Sequence, residues 1–224
     1  MIQAVIFDMD GLLIDSEPFW RQSHCKVLAR HGYEITEDDV RAMAGHRTAD
    51  VAAHWRQRFG FSEPSNQILA NQVVDEVIRS IHMHGQPMPG VDRLIRELHA
   101  QGIPMAVASS SSVRLIDVVL ERLGIRTYMQ AVHSGENEAR GKPFPDVFLS
   151  TARTLGVYPA DCLVFEDSLS GIKAAKAAGM HCIAVPEEPY SRSTFAAAQP
   201  DKIVSSLEAV RWTDIQTMHP IALV

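Results

Sequence analysis

The sequence predicts an α/β protein in which a doubly wound parallel sheet is interrupted by an all-helical insert. Short, continuous apolar runs recur along the chain, and after residue 90 they alternate with amphipathic helical patterns. Strands that alternate with helices form βαβ units, which build parallel sheets. Residues 16–86 instead contain helical patterns without a convincing strand. With 224 residues, the chain is long enough for one medium domain and a smaller insert.

The predicted strands are six short apolar runs, most of which contain β-branched residues. Short apolar runs bounded by turn residues suit strands that are buried on both faces. The runs are residues 4–7, 104–108, 130–133, 162–165, 182–185 and 202–204. Ligands of open parallel sheets bind beyond the carboxyl ends of the strands, so the residues that follow these runs are candidates for a functional site.

The predicted helices between the strands have apolar residues on one face. Four apolar residues from Val91 to Leu98 fall at i, i+3, i+4 and i+7, and Gly102 follows as a stop signal. An apolar or alanine-rich helical segment with a glycine at its end recurs at residues 116–124 and 171–179. A glycine in these places suits the left-handed conformation that commonly ends a helix.

The helical insert is predicted from residues 19–30 and 68–82, which have helical periodicity. Its exit, residues 84–90, combines glycine and proline as linkers do. The prediction is therefore a two-part chain, with a core of residues 1–15 and 87–224 and a helical domain of residues 16–86.

Composition restricts the class of partner. The net charge is −6, which argues against nucleic acid as the main partner because a phosphate backbone needs a basic surface. The apolar run after Met1 is too short for export or for crossing a bilayer. The three cysteines have no CxxC spacing and favour reduced thiols. We therefore expect a cytoplasmic protein without a membrane partner, and residues 212–224 indicate only a surface tail or a small edge element.

Two aspartates follow the first predicted strand. Asp8 and Asp10 are two residues apart in an extended segment and therefore point the same way, and Gly11 lets the backbone turn after them. Neighbouring carboxylates repel each other and need a cation or a shared proton. Oxygen ligands without nearby histidine or cysteine favour Mg²⁺. Because chance alone would produce about one Asp-x-Asp in such a chain, the motif gains specificity only from further residues.

Three further strand ends supply complementary groups. Ser109 begins a run of four serines after the second predicted strand, and their hydroxyls and amides suit phosphate oxygens. Lys142 follows the third strand, and Glu166 and Asp167 follow the fourth. The sequence therefore predicts that these side chains meet the aspartate pair at one edge of the sheet.

The segment of residues 8–17 (DMDGLLIDSE), together with Ser109, Lys142 and Glu166-Asp167, resembles the four motifs of the haloacid dehalogenase superfamily. The helical insert directly after the first motif resembles the cap domain of this family. The most similar branch holds β-phosphoglucomutase and the sugar-phosphate phosphatases. The resemblance covers nearly the whole chain and implies a Rossmann-like catalytic core below a helical cap.

The resemblance implies a role for each core residue. Asp8 attacks phosphorus and becomes an aspartyl phosphate, which splits one difficult hydrolysis into two easier steps. Asp10 protonates the leaving alcohol and then deprotonates the attacking water. Ser109 hydrogen-bonds the transferring phosphoryl group, and Lys142 neutralises charge on Asp8 and on the phosphate oxygens.

The same motifs imply a Mg²⁺ cofactor. Its expected ligands are Asp8, the backbone carbonyl of Asp10, Asp167 and, directly or through water, Glu166. A bound cation lets an anionic nucleophile approach an anionic phosphate. Taken alone, Glu166 and Asp167 could equally begin a helix, where acidic residues are favoured.

The residues that bind substrate are expected mainly in the cap. Gly45, His46 and Arg47 match the glycine-plus-basic segment with which related caps address the substrate, and Arg47 is a candidate for a distal polar or anionic group. Glu17 follows the hinge and is expected to contact the substrate or a cap residue. Ser110, in the serine run, completes the predicted set.

Several activities of the superfamily can be compared with the motifs. In β-phosphoglucomutase a histidine follows the first motif and an arginine lies downstream of the cap glycine, whereas Trp20 and Thr48 stand at these positions here. Haloacid dehalogenases lack the second aspartate, which is present as Asp10. Phosphonatases have a cap lysine that forms an imine, and this feature does not appear here. A non-catalytic phosphate sensor would have no need for Asp10.

We therefore predict a magnesium-dependent phosphoric monoester hydrolase, a phosphatase for small sugar or polyol phosphates with hexose 6-phosphates as the leading substrates. The alternative is a phosphomutase of the β-phosphoglucomutase type. The expected partner is a small phosphorylated metabolite, and we expect the protein to act as a monomer.

Overall fold

The computed structural model describes residues 1–43, 45–186 and 192–218. The predicted doubly wound parallel sheet with its helical insert is confirmed. The end of the predicted tail, residues 219–224, lies outside the described residues. Within the described ranges, no helix has both the length and the apolar character that crossing a membrane requires.

The sheet contains six parallel strands. They are β1 (Ala4–Phe7), β2 (Met105–Ser109), β3 (Ala131–Ser134), β4 (Cys162–Glu166), β5 (His181–Ala184) and β6 (Lys202–Ile203). Their order across the sheet is β3-β2-β1-β4-β5-β6. Each strand begins and ends within one residue of its predicted run, because a parallel strand buried on both faces needs an unbroken apolar segment.

The helices flank the sheet or belong to the insert. They are α1 (Glu17–Arg30), α2 (Glu37–Arg41), α3 (Thr48–Phe59), α4 (Asn66–His84), α5 (Val91–Ala100), α6 (Val113–Arg122), α7 (Asp146–Leu155), α8 (Leu169–Ala177), α9 (Arg192–Ala196) and α10 (Trp212–Gln216). Short 3₁₀ turns lie at Arg126–Tyr128, Gly135–Asn137, Pro159–Asp161 and Leu207–Ala209. The described part of residues 16–86 contains four helices and no strand, as predicted.

The central strand β1 lies between β2 and β4, and its four residues are fully buried. Val5 and Phe7 face one apolar cluster, and Ala4 and Ile6 face the other, so the two clusters cover opposite faces of the sheet. The ring of Phe7 stacks on that of Phe165 with their centroids 5.4 Å apart. This packing fixes the end of β1, where the first aspartate follows.

The insert has its own buried contacts, in which α4 packs against α1 and α3. Trp55 is fully buried between them. Glu76 of α4 is also buried, and it pairs with Lys26 and Arg30 of α1 and with Arg79. These partners, Lys26 first, lower the pKa of Glu76 to about 2 although burial opposes the shift. A buried carboxylate needs such partners, so this cluster fixes α1 against α4.

The chain enters and leaves the insert side by side. Ile14 and Pro87 form an isolated antiparallel bridge, and the amide of Asp15 donates to the carbonyl of Gln86 at 3.2 Å. This pairing lies at the predicted boundaries of the insert. The division of the chain into two domains that move separately stays a prediction.

Candidate active site

The carboxyl edge of the sheet gathers the predicted core residues. Asp8 directly follows β1, Ser109 ends β2, and Glu166 ends β4 with Asp167 next to it. Lys142 reaches the same place from the loop after β3. The insert covers this edge, and a cavity of about 60 Å³ lies between the two.

Lys142 is buried between two carboxylates. Its Nζ donates to Asp8 Oδ1 at 2.7 Å and to Glu166 Oε1 at 2.5 Å. Burial alone would lower the pKa of Lys142, but the charges of both carboxylates outweigh burial and raise the pKa. Burial raises the pKa of Asp8 to about 7, although Lys142 opposes the shift. Lys142 is therefore a fixed positive charge beside Asp8.

A group of three carboxylates forms a candidate metal site. Asp8, Glu166 and Asp167 each place one oxygen within 4.8 Å of the others. Burial and then the charge of Glu166 raise the pKa of Asp167 well above its ordinary value. Lys142 and Ser168 donate to Glu166, whereas no residue in the described part of the chain donates a hydrogen bond to Asp167. This all-oxygen set with excess negative charge fits Mg²⁺.

Two glycines allow the acidic residues to approach the backbone. Gly11 has φ +73°, and a Cβ there would lie 2.2 Å from Asp167 Oδ2. A Cβ on Gly171 of α8 would lie 1.7 Å from Glu166 Oε1. Neither position has room for a side chain unless an acidic group moves.

We expect Gly171→Ala to lower kcat at least about 10-fold and to raise the Mg²⁺ concentration needed for half-maximal activity. The added methyl displaces the Glu166 carboxylate from Lys142, although alanine is the better helix former by about 1 kcal/mol. A magnesium titration of phosphatase activity measures both effects. Gly179→Ala is the control: its φ of +72° disfavours any side chain, but no atom lies within 4 Å of its Cβ position, so this strained variant leaves Glu166 in place. Equal magnesium responses in the two variants would contradict the prediction.

Asp10 is held by hydroxyl and indole donors. Its Oδ1 accepts from Ser16 Oγ at 2.6 Å and from Trp20 Nε1 at 2.8 Å. Its Oδ2 accepts from Ser111 Oγ at 2.7 Å and, at 3.5 Å, from Ser109 Oγ. Its side chain lies outside the candidate metal group, which leaves its backbone carbonyl as the predicted ligand. Because Trp20 belongs to α1 and Ser111 follows β2, Asp10 connects the insert to the core.

Most of the predicted substrate residues line the cavity. Glu17, Gly45, His46 and Ser110 do so, and Ser110 Oγ donates to the carbonyl of Gly45 at 2.9 Å. Gly45 has φ +78°, and a Cβ there would lie 2.6 Å from Ser170 Oγ. Gly45 is therefore a point of close approach between the insert and the core.

Arg47, also a predicted substrate residue, does not line this cavity. Its Nε donates to Asp50 Oδ2 at 2.7 Å, and a terminal nitrogen donates to the carbonyl of Glu138 at 3.3 Å. A Cβ on Gly141 would lie 2.9 Å from the same Nε. The reason is local, because Arg47 is the N-cap of α3 and Asp50 follows in the first turn. Arg47 thus braces the insert against the loop that carries Lys142.

Several polar residues near the cavity were not among the predicted site residues, and three of them share one face of α1. Ser16 and Trp20 donate to Asp10, and the buried His24 lines the cavity. They are spaced four residues apart, which places them on one face at the start of α1. That spacing directly after the first motif is the signal that could have revealed them.

Two curated relatives from Escherichia coli (strain K12) are similar over most of the chain. Hexitol phosphatase B is 36% identical over 186 residues, which are 83% of this chain and 84% of that protein. Fructose-1-phosphate phosphatase YqaB is 34% identical over 183 residues, which are 81% and 95% of the two chains. These similarities support the predicted phosphatase class.

A solved structure of β-phosphoglucomutase from Clostridium difficile superposes with a TM-score of 0.84 and covers 96% of each chain. At 23% identity this likeness shows the fold alone. The sequence profile described as haloacid dehalogenase-like hydrolase matches residues 5–185, a range that contains every predicted catalytic residue. The profile confirms the predicted superfamily and hydrolase class. The chain therefore belongs to the haloacid dehalogenase-like hydrolase family.

Proposed function

We propose that this protein is a Mg²⁺-dependent phosphatase that hydrolyses small sugar or polyol phosphates through an aspartyl phosphate on Asp8, with hexose 6-phosphates as the leading substrates. The observation that carries the proposal is the pair of differently held aspartates at one cavity. Asp8 contacts Lys142 at 2.7 Å, whereas Asp10 is held by neutral donors. Two aspartates in such different surroundings suit one nucleophile and one acid/base.

Asp8 acts as the nucleophile. The oxygen of Asp8 that does not contact Lys142 attacks phosphorus. Lys142, which contacts Oδ1, stabilises the anionic carboxylate and the charge that develops on the phosphate oxygens. Ser109 lines the same cavity and offers its hydroxyl to the phosphoryl group. The P–O bond to the leaving alcohol breaks as the Asp8 oxygen bonds to phosphorus, which gives the aspartyl phosphate.

Asp10 moves the protons. In its acid form it protonates the departing alkoxide, and the resulting carboxylate then takes a proton from the water that attacks the aspartyl phosphate. Ser16, Trp20 and Ser111 hold that carboxylate in place by hydrogen bonds from neutral donors.

Asp8, Asp167 and the Asp10 carbonyl would hold Mg²⁺, with Glu166 direct or through water. When bound, the ion supplies charge neutralisation that lets two anions approach each other. Glu166 is held by Lys142 and by both the amide and the hydroxyl of Ser168. It therefore serves mainly to orient Lys142 and the backbone at Ser168.

We expect chelation to remove activity and Mg²⁺ to restore it. Treatment with EDTA lowers phosphate release at least about 100-fold, because the excess carboxylate charge then repels the phosphate. Asp167→Asn raises the Mg²⁺ concentration for half-maximal activity about 10-fold or more. Even the loss of a residue that only hydrogen-bonds a metal ligand lowers metal affinity about 10- to 100-fold. Asp161→Asn, remote from the cavity, is the matched control. Full activity in EDTA would contradict the proposal.

The substrate class rests on the cavity and on the relatives. The cavity of about 60 Å³ shares Glu17, His46 and Asp167 with a groove of about 430 Å³ between the insert and the core. A hexose phosphate needs both spaces or an open cap. The names of the relatives, a hexitol phosphatase and a fructose-1-phosphate phosphatase, support a phosphorylated sugar or polyol.

A panel of phosphorylated metabolites tests the substrate class and separates hydrolysis from phosphoryl transfer. We expect phosphate release from several hexose or hexitol phosphates and no isomerisation of β-glucose 1-phosphate. Efficient isomerisation would favour the alternative, a phosphomutase of the β-phosphoglucomutase type.

We also propose that residues 16–86 act as a cap that moves over the core, and that the protein works as a cytoplasmic monomer. The side-by-side chain crossings at Ile14 and Pro87 support a hinge there. The three free cysteines support a reducing compartment.

A further inference from the structure

His24 lies on the cap wall of the cavity between two tryptophans. It is 4% exposed, its ring stacks with Trp20 at a centroid distance of 6.1 Å, and it meets Trp55 edge-on at 6.3 Å. The neighbouring cap residues that line the cavity include the apolar Val40 and Val51. His24 is thus a polar group in a largely apolar part of the wall, and such groups fix the orientation of a ligand.

The contact with Trp55 sets the tautomer of His24. The indole Nε1–H of Trp55 donates to His24 Nδ1 at 3.4 Å, and an indole N–H can only donate. Burial lowers the pKa of His24 to about 4, so the ring is neutral at pH 7. With Nδ1 accepting, the proton of the neutral ring lies on Nε2.

The remaining nitrogen of His24 is not fully enclosed, and the residue lines the cavity. Nε2 has no hydrogen-bond partner among the described residues, and part of its surface is accessible to a ligand. The hydroxyl of Thr48 has the same status on the same cavity wall. An N–H and a hydroxyl therefore lie ready for an oxygen of a bound ligand.

We propose that His24 Nε2–H is a specificity determinant that donates to a hydroxyl oxygen on the carbon chain of the substrate, with Thr48 as a second hydroxyl partner. The inference rests on the proposed function and deepens it. A neutral donor suits a hydroxyl, whereas the phosphate needs the charged end of the cavity at Lys142. A substrate without the hydroxyl leaves the N–H unpaired and is disfavoured.

The test compares wild type with His24→Phe, His24→Gln and His24→Asn. The substrates are acetyl phosphate, which has no hydroxyl, the best hexose or hexitol phosphate of a panel, and the monodeoxy analogues of that substrate. The measured quantity is the ratio of kcat/KM for the sugar substrate to kcat/KM for acetyl phosphate. Thermal unfolding and circular dichroism establish that each variant is folded.

We expect His24→Phe to lower this ratio about 10- to 100-fold. His24→Gln recovers much of the loss because its longer side chain can place an amide N–H near the position of Nε2, whereas His24→Asn reaches only the position of Nδ1 and does not. One monodeoxy analogue lowers the wild-type ratio by a similar factor, and His24→Phe adds little to that loss.

Three results overturn the inference in distinguishable ways. If wild type hydrolyses the sugar phosphates and His24→Phe leaves the ratio unchanged, the hydroxyl contact is wrong and the proposed function stands. If wild type hydrolyses acetyl phosphate but no sugar or polyol phosphate, the proposed substrate class fails and the inference fails with it. An equal loss in all three variants assigns His24 to packing alone and also overturns the inference.

Discussion

Replacing Asp8 with asparagine is expected to lower phosphate release by about 10,000-fold or more, because the loss of a covalent nucleophile is among the most costly changes in a catalytic site. The amide of the variant is neutral and is a poor nucleophile toward phosphorus. Lys142 keeps its contact with Glu166 at 2.5 Å, so the variant retains the rest of the site. Steady-state phosphate release with a hexose phosphate measures the effect.

The same substitution is expected to leave the fold intact. Burial raises the pKa of Asp8 to about 7, which means that the metal-free protein gains little from this carboxylate being charged. Without Mg²⁺, removing one of three crowded carboxylates relieves repulsion, so thermal unfolding in EDTA should occur at an equal or higher temperature. Asp15→Asn, at an exposed position of the same segment, is the control and should keep normal turnover. More than about 1% residual activity in Asp8→Asn would exclude Asp8 as the nucleophile.

The strands and the core of the site could be predicted from sequence because their signals are local. A buried parallel strand is a continuous apolar run, and β1 has the predicted bounds, Ala4–Phe7. The residues after each run then meet at the carboxyl edge by topology alone. Asp8 and Lys142 are 134 residues apart, yet their contact follows from the order of the strands.

The helical insert could be predicted less well because its contacts depend on tertiary packing. The helix α3 was not predicted, since its buried face of Val51, Ala52 and Trp55 is narrow and lies among charged residues. Arg47 is bound to Asp50 and does not line the cavity. The pattern of a glycine followed by basic residues does not predict which partner the arginine side chain binds. The roles of Trp20 and His24 depend on how α1 sits above the sheet edge, which periodicity alone does not give.

Replacing Asp10 with asparagine is expected to slow hydrolysis of hexose phosphates by about 100- to 10,000-fold, the range typical of general acid–base catalysis. The substitution is close to isosteric. The amide oxygen can still accept from Ser16 and Trp20, and the amide nitrogen can face Ser111, whose hydroxyl can accept instead of donating. The loss therefore reports the missing proton transfer and not a displaced side chain.

The leaving group should decide which half-reaction fails in Asp10→Asn. An alkoxide must be protonated as it leaves, so a hexose phosphate is expected to leave Asp8 unphosphorylated. Acetate leaves without a proton, so acetyl phosphate is expected to phosphorylate Asp8 at nearly the normal rate. The attacking water still lacks its base, and the aspartyl phosphate then accumulates as a burst before slow turnover.

Rapid quench followed by mass analysis of the Asp8 peptide measures this accumulation. Trp20→Phe is the matched variant, because it removes one of the donors to Asp10 Oδ1 at 2.8 Å but keeps an aromatic ring beside His24. The Asp10 carboxylate is still present in Trp20→Phe, so we expect a loss of turnover of about 10-fold or less and no burst with acetyl phosphate. Normal turnover of hexose phosphates by Asp10→Asn would show that another group transfers the proton. A burst with both substrates would place the function of Asp10 in the hydrolytic step alone.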